Sequence, residues 1–373
     1  MKKIIACILA VLLLLMSVAG CGSSQSNSQS TSASEEKDGA QVALLLNTNS
    51  AGINDKGYAQ YAWEAIEEWC KENNYTYTYY QPNDTSVESY NEMYNLAISS
   101  GAEICVCLGF EFVDSIVDAQ WEYPDTDFIA IDAAGLENEE LNDNIYVMGF
   151  NTIEAGFFAG ACAVYEGYQN MGILTCFDIP PCVKWAYGFL QGANWAAEEY
   201  AVDNVAIQHY ILGTADASPD IQALAASWYD SGIDLIYANG AGANTSIFAA
   251  AEACGKPCIG HDVNQNYESD SVLTSSVKNV DVAVKMSLDA WSSGDFPGGT
   301  SIDMDVDEDA VGLAMDGART EKFTEDVYQQ LYEDFKADKD GIRSSALQYE
   351  DVDSIQDLYD KLPEKNITFK DIE

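Results

Sequence analysis

Histidine is scarce in this chain: 373 residues include two, His209 and His261. Positive charge is scarce as well, with 17 basic residues against 61 acidic ones and a formal net charge of −44. That balance excludes a nucleic-acid footprint and disfavours adhesion to anionic lipid, because both need surfaces rich in Lys and Arg. It speaks for solubility and leaves the ligand open. No GxGxxG loop, P-loop, nucleophile elbow or HExxH helix occurs in the chain, so the common nucleotide-binding and hydrolytic signatures are missing. His209 lies inside an apolar run, as a packed side chain does, and His261 has no partner identifiable from sequence. The reading is a protein that is not an enzyme, with no catalytic residue, cofactor or metal.

Apolar runs long enough to cross a bilayer are also missing. The run Ile4 to Met16 follows Lys2 and Lys3 and leads into Ser17-Val18-Ala19-Gly20-Cys21. It is too short for a stable span and reads as a processed export signal over residues 1–20. Val18-Ala19-Gly20-Cys21 resembles the bacterial lipobox, which implies lipid attachment at Cys21 and a membrane anchor on the extracytoplasmic face. Residues 21–40 are mostly Ser, Gln, Asn, Thr and Glu, too polar to bury a core, and read as a tether. The remaining about 335 residues exceed the usual size of one core, so two domains are expected.

Beyond Cys7 and Cys21, cysteines stand at 70, 105, 107, 162, 176, 182, 254 and 258. Cys105 and Cys107, two apart in an apolar run, would share a strand face as small core residues. CxxC-type spacing with histidine nearby is absent, which favours structural thiols over a metal site. Exported chains this rich in thiols usually carry disulfides; an anaerobic source accounts for free thiols equally well.

Short apolar runs alternate with stretches of helical period along the mature chain. The runs include Val42–Leu46, Ile104–Leu108, Phe128–Ile131, Ile145–Phe150, Met171–Leu174, Leu235–Ala238 and Val272–Val277. Ala62–Glu72, Val87–Ile98, Ile153–Tyr165 and Val183–Tyr200 have the period of helices. Such alternation specifies parallel sheets covered by helices on both faces. The expected fold is α/β, with two doubly wound parallel-sheet lobes, a hinge and an interlobe cleft. The expected lobes are 41–150 plus 271–299 and 151–270 plus 300–373, with crossings near Asn151, Tyr267 to Ser271 and Thr300 to Ile302. Open α/β sheets bind ligands beyond the carboxyl ends of their strands. There this chain places Asn47 to Tyr58, Gly109-Phe110, Asp132, Asp178 to Trp185, Asn239 to Asn244 and His261 to Gln265.

Five segments, in order, carry a resemblance. They are Asn49 to Gln60 running on to Trp63-Glu64, Glu154 to Gly160, Asp178-Ile179-Pro180 with Tyr187-Gly188-Phe189, Ile259 to Tyr267, and Leu273 to Val284. From about Val42 to Ala314 the chain resembles the basic membrane protein family, lipoproteins of ABC importers typified by purine nucleoside receptors. The resemblance implies the type I periplasmic-binding-protein fold and a monomer that binds a small molecule and passes it to permease subunits. It also implies a ligand site at Asn49, Asp55, Tyr58, Phe110, Asp132, Trp185, Gly240, Asp262 and Lys278.

Within that set, Tyr58 stands where the family stacks an aromatic on the base, and Trp185 where a second would close the sandwich; the alternative for both is a core aromatic. Asp262 occupies the family's ribose-binding position, and a carboxylate accepts both hydroxyls of a diol; otherwise it caps the next helix. Lys278 pairs with Asp262 or with a sugar oxygen, or is a plain surface lysine; Asp132 faces the cleft or caps a turn, and Gly240 lets backbone amides approach the ligand or makes a tight turn. Two departures bear on the ligand: Asn49 replaces the nucleoside receptors' aspartate and Ala59 their asparagine. An amide both donates and accepts where a carboxylate only accepts, which opens the base preference. Beside the importer component stand a lipid-tethered ligand sensor and a nucleoside-processing enzyme as the other function classes.

Overall fold

In a computed structural model, residues 39–48, 52–55, 57–348 and 354–372 are described. The expected signal, Cys21 and Asn49 lie outside them, as does all of the tether except residues 39–40. Among the described residues no helix is long and apolar enough to cross a membrane.

The first half of the chain builds β1 (Val42–Leu45), α1 (Tyr58–Asn73), β2 (Tyr77–Tyr80), α2 (Val87–Ser99), β3 (Ile104–Leu108), α3 (Val113–Glu122), β4 (Asp127–Ile131) and β5 (Ile145–Phe150). The second half begins with α4 (Thr152–Glu166), β6 (Asn170–Thr175), α5 (Pro180–Glu199), β7 (Val205–Ile211), α6 (Pro219–Asp230), β8 (Leu235–Asn239), α7 (Asn244–Cys254), β9 (Cys258–Gly260) and β10 (Val272–Lys278). After these come α8 (Val280–Ser293), β11 (Thr300–Met304), β12 (Val311–Leu313), α9 (Glu325–Lys336), α10 (Ile342–Ala346), α11 (Ile355–Lys361) and β13 (Ile367–Asp371).

Local chemistry sets these boundaries. Helix α1 starts at Tyr58, earlier than its apolar period predicts, because Asp55 accepts from the backbone amides of Gly57, Ala59 and Gln60. It buries Ala59, Ala62, Ala65, Ile66, Trp69 and Cys70, a three-and-four spacing, and ends at Asn74 in the left-handed region. Ser86 caps α2 through the amide of Ser89, and Ser218 caps α6 ahead of Pro219.

The strands form two sheets, ordered β11-β5-β4-β3-β1-β2 and β12-β10-β9-β8-β6-β7-β13. The first is parallel throughout; in the second, β12 runs antiparallel to β10. Strand order reverses between β1 and β3 in one sheet and between β6 and β8 in the other. Loops from those strand ends are where an open α/β sheet receives its ligand.

The lobe division differs from the one expected. Strand β10 pairs with β9 and β12 of the second sheet, whereas β11 pairs with β5 of the first. The crossings therefore fall at Asn151, at Asn279 and at Asp305. An apolar run records that a strand is buried, not which sheet it joins, so 272–278 and 300–304 carried no sign of their exchange.

Two contacts stiffen this region. Glycines Gly156 and Gly160 of α4 meet Gly188 and Gly192 of α5, and a Cβ at any of the four would collide with backbone of the facing helix. The helices thus touch main chain to main chain, which fixes the start of α5. Glu154, fully buried on α4, accepts from Arg343 Nε at 2.6 Å and from the amide of Val306 at 2.9 Å. Arg343 also reaches Asp305 at 2.7 Å and Asp307 at 3.0 Å, so one guanidinium ties two crossings together. Burial pushes the Glu154 carboxyl up to about 7, outweighing those bonds.

Candidate functional site

The side chains that meet between the sheets do so around Lys278. Its ammonium, at the end of β10, pairs with Asp132 beyond β4 of the first sheet and with Asp262 beyond β9 of the second, the latter at 2.9 Å. It also lies 4.3 Å from the centroid of the Tyr58 ring, at the first residue of α1. One cation therefore holds a carboxylate from each lobe and faces an aromatic ring.

Asp132 and Asp262 both sit at positive φ, 58° and 79°. Non-glycine residues seldom adopt this backbone, and it persists only where surrounding contacts hold it. Here each aspartate turns out of a buried strand into the ion pair. The alternative of a capping role for Asp262 does not fit, since the residues after it form no helix before β10.

Charges balance within the cluster. Burial opposes the Lys278 charge, but Asp132 and Asp262 outweigh it and hold the ammonium above its ordinary range. Burial likewise opposes ionisation of Asp262, yet Lys278 and His261 bring its carboxyl below the usual value. The Tyr58 hydroxyl is buried and has no partner at hydrogen-bonding geometry; burial, then Asp132 and Asp262, keep it protonated.

His261, next to Asp262, acquires the partners that the sequence did not reveal. The Asn244 amide nitrogen lies 3.0 Å from His261 Nδ1 and 2.9 Å from Gln265 Oε1. An amide N–H donating to Nδ1 leaves the imidazole proton on Nε2. Burial lowers His261 to about 4, so the ring is neutral at neutral pH. It stands edge-on to Trp185 at 5.3 Å between centroids. Trp185, expected as an open stacking face, is 3% exposed in this arrangement and packs with the core.

The other expected residues take distinct places. The Asp55 carboxylate is engaged by the amides that start α1, which makes it a positioning residue for Tyr58. Phe110 stands at the rim, 54% exposed. Gly240 has an ordinary φ of −111°, and its amide donates to Asn244 Oδ1 at 2.8 Å, so it serves the His261 network. Sequence reasoning flagged the loops that carry Asn239, Asn244 and His261 without selecting those residues. Asn239 closes β8, donates to Thr175 Oγ1 at 3.1 Å and to the carbonyl of Cys182 at 2.8 Å, and keeps a buried Oδ1 without a hydrogen-bond partner. A polar residue ending an otherwise apolar strand was the available signal.

A cavity of about 590 Å³ shares Lys278 with this cluster, and its other walls include Tyr61, Asn264, Asp281, β12 and the face of α9. It contains none of Tyr58, Asp132, Trp185 or Asp262. Volume and chemistry thus point to adjoining places, and the charge-paired strand ends are the better site because polar groups converge there. Elsewhere, Thr175 Oγ1, His209 and Asp371 form a hydroxyl–imidazole–carboxylate chain with contacts of 2.9 and 2.8 Å. Thr175 and His209 are fully buried, and the chain ties β6, β7 and β13 together without offering a nucleophile to solvent.

Comparison with known proteins gives a consistent result. A family model described as "ABC transporter substrate-binding protein PnrA-like" matches residues 42–349. The ABC transporter nucleoside-binding protein BmpA of Lactococcus lactis is 29% identical over 345 residues, covering 86% of this chain and 94% of that one. An uncharacterized lipoprotein of Pyrococcus furiosus is 24% identical over 332 residues, covering 86% and 79% respectively. A solute-binding protein of an ABC transporter system from Aeropyrum pernix superimposes with a TM-score of 0.64 at 19% identity, covering 86% of this chain and 90% of that one.

Proposed function

The chain belongs to the PnrA-like family of ABC transporter substrate-binding proteins, and from that premise we propose that its cleft takes a nucleoside or a related flat heterocycle carrying a diol. Membership makes it a solute-binding component and not an enzyme. The observation that carries the ligand class is the Lys278 cluster, where two carboxylates and an ammonium converge beside an aromatic ring.

A diol donates two hydrogens to one carboxylate, and Asp262 supplies that acceptor while Lys278 donates to a sugar oxygen. A flat base lies against Tyr58, with Trp185 on the opposite lobe, each ring adding about 1–3 kcal/mol by stacking. In this reading the lobes part to admit the ligand, exposing Trp185, and close over it by rotation at the three crossings. The Lys278–Asp132 pair then marks the closed form, since it joins residues of different sheets. The name of the Lactococcus relative supports the same ligand class. The protein acts as a monomer, anchored through Cys21 on the extracytoplasmic face, and delivers its ligand to permease subunits.

Mass spectrometry of small molecules released from the purified soluble fragment, followed by calorimetry with guanosine, inosine, adenosine, uridine and free ribose, tests the proposal. A nucleoside among the released molecules and tight binding of at least one nucleoside are expected. Binding of ribose as tightly as any nucleoside, or of none of them, sinks it.

A further inference from the structure

The loop between β6 and α5 begins and ends with sulfur. Cys176 follows the last residue of β6, Cys182 is the third residue of α5, and their Sγ atoms are 3.4 Å apart. Asn239 holds both ends of the loop, accepting from the amide of Cys176 at 3.0 Å through its carbonyl and donating to the carbonyl of Cys182 at 2.8 Å. Between the sulfurs run Phe177 to Pro181, of which all but Phe177 are exposed. Strands β6, β8 and β9 are parallel neighbours, so the loop leaves its sheet on the same side as Asp262 of the ligand cluster.

From this placement we infer that Cys176 and Cys182 are a redox pair that closes to a disulfide by exchange with a small-molecule disulfide, pinning the loop 177–181 at the wall of the cleft. A disulfide needs its sulfurs about 2.0 Å apart, so closure asks for a shift of roughly 1.4 Å, and the exposed loop can give that much. The other described thiols lack this combination. Cys105 and Cys107 lie two apart on one buried strand, Cys70, Cys162 and Cys258 are buried singly in cores, Cys254 is half-buried at the end of α7, and no group of three metal-ligating side chains occurs among the described residues.

The exchange balances in two steps. Cys182, the more exposed sulfur, gives its proton to solvent and attacks the disulfide, forming a mixed disulfide and expelling one thiolate. The Cys176 thiolate then attacks Cys182 Sγ and expels the second thiolate. Two protein thiols are oxidised, one small disulfide is reduced to two thiols, and the leaving thiolates take up protons from water.

Full-length protein incubated with glutathione disulfide or with dithiothreitol, then alkylated in denaturant and mapped by peptide mass, tests the inference. Glutathione disulfide should abolish alkylation of both cysteines together and yield one peptide pair linked 176 to 182, reversed by dithiothreitol. Cys176→Ser, folded by its thermal transition, should stall after the first step and retain one glutathione on Cys182. Full alkylation of both residues in the parent after glutathione disulfide, a bridge from either to a third cysteine, or Cys182 free of glutathione in folded Cys176→Ser overturns it.

Discussion

Asp132 and Asp262 come from different sheets, hold the same left-handed backbone and converge on one ammonium, that of Lys278. The pairing joins the two sheets through charge, because parting them would separate Asp132 from the cation. Removing the cation leaves two carboxylates facing each other with little water. Lys278→Met is therefore expected to destabilise the fold by about 2–3 kcal/mol, below the usual cost of breaking a buried pair because the three side chains keep partial solvent contact. Urea unfolding at neutral pH measures it. Asp132→Asn should cost less, since Asp262 still neutralises the lysine. Equal losses in the two variants would show that Lys278 does not hold both lobes.

His261 sets an acid limit that can be read by difference. Its folded value near 4 lies below the ordinary histidine value near 6.5, so between those pH values the unfolded chain binds the extra proton. Stability from this residue is thus present above about pH 6.5 and lost as the pH falls toward 4, up to about 3 kcal/mol in all. His261→Gln removes the titration, and its stability relative to the parent should rise as the pH drops from 7 to 5. A constant difference across that range would place the histidine in water.

Helices α4 and α5 touch through glycine, and the cost of added bulk follows from what lies opposite. A Cβ at Gly188 meets the carbonyl of Ile153, which α4 cannot move without shifting its own backbone. Gly188→Ala is expected to lose about 3 kcal/mol and several degrees of melting temperature. Because α5 carries Cys182 and Trp185, the variant should weaken ligand binding as well. A melting temperature equal to the parent's would mean the helices are not in backbone contact.

The proposed anchor is the thiol of Cys21, ahead of the described residues. Cys21→Ala should leave the full-length protein without lipid and shift it from the membrane to the soluble fraction, as read by detergent partitioning. Unchanged partitioning would assign the anchor elsewhere.

The sequence displayed burial well and partnership poorly. Runs such as Ile104–Leu108 and Leu235–Ala238 became fully buried strands because apolar content reports burial directly. Gly101, Gly232 and Gly255 follow helices at positive φ, where only glycine is at ease, so the stops were legible too. The ends of strands gave the loops that meet at the candidate site, since chain reversal there is topological. Which sheet β10 and β11 join was not legible, nor was β13, whose place beside β7 depends on a long-range pairing closed by His209 and Asp371. Asn244 reaching His261 across 17 residues belongs to the same class. Contacts of that kind depend on tertiary geometry, and local periodicity carries none of it.

The ligand proposal stands or falls on Asp262. If its carboxylate accepts a sugar diol, Asp262→Ala removes a charge-assisted acceptor and leaves the hydroxyls facing an alanine. Affinity for the tightest ribonucleoside should fall by about 1.5–3 kcal/mol, roughly ten- to hundred-fold, in calorimetry on folded protein. The same variant frees Lys278 from one partner, so loss of affinity alone does not isolate the diol. The discriminating measurement is a cycle with the 2′,3′-dideoxy nucleoside. Against the parent it should bind weakly, and against Asp262→Ala the penalty for lacking the hydroxyls should nearly vanish, because the acceptor they met is gone. Trp185→Ala should weaken both ligands alike through lost stacking, by about 1–3 kcal/mol. A dideoxy penalty of the same size in the parent and in Asp262→Ala would show that another group reads the sugar and that Asp262 serves Lys278 alone.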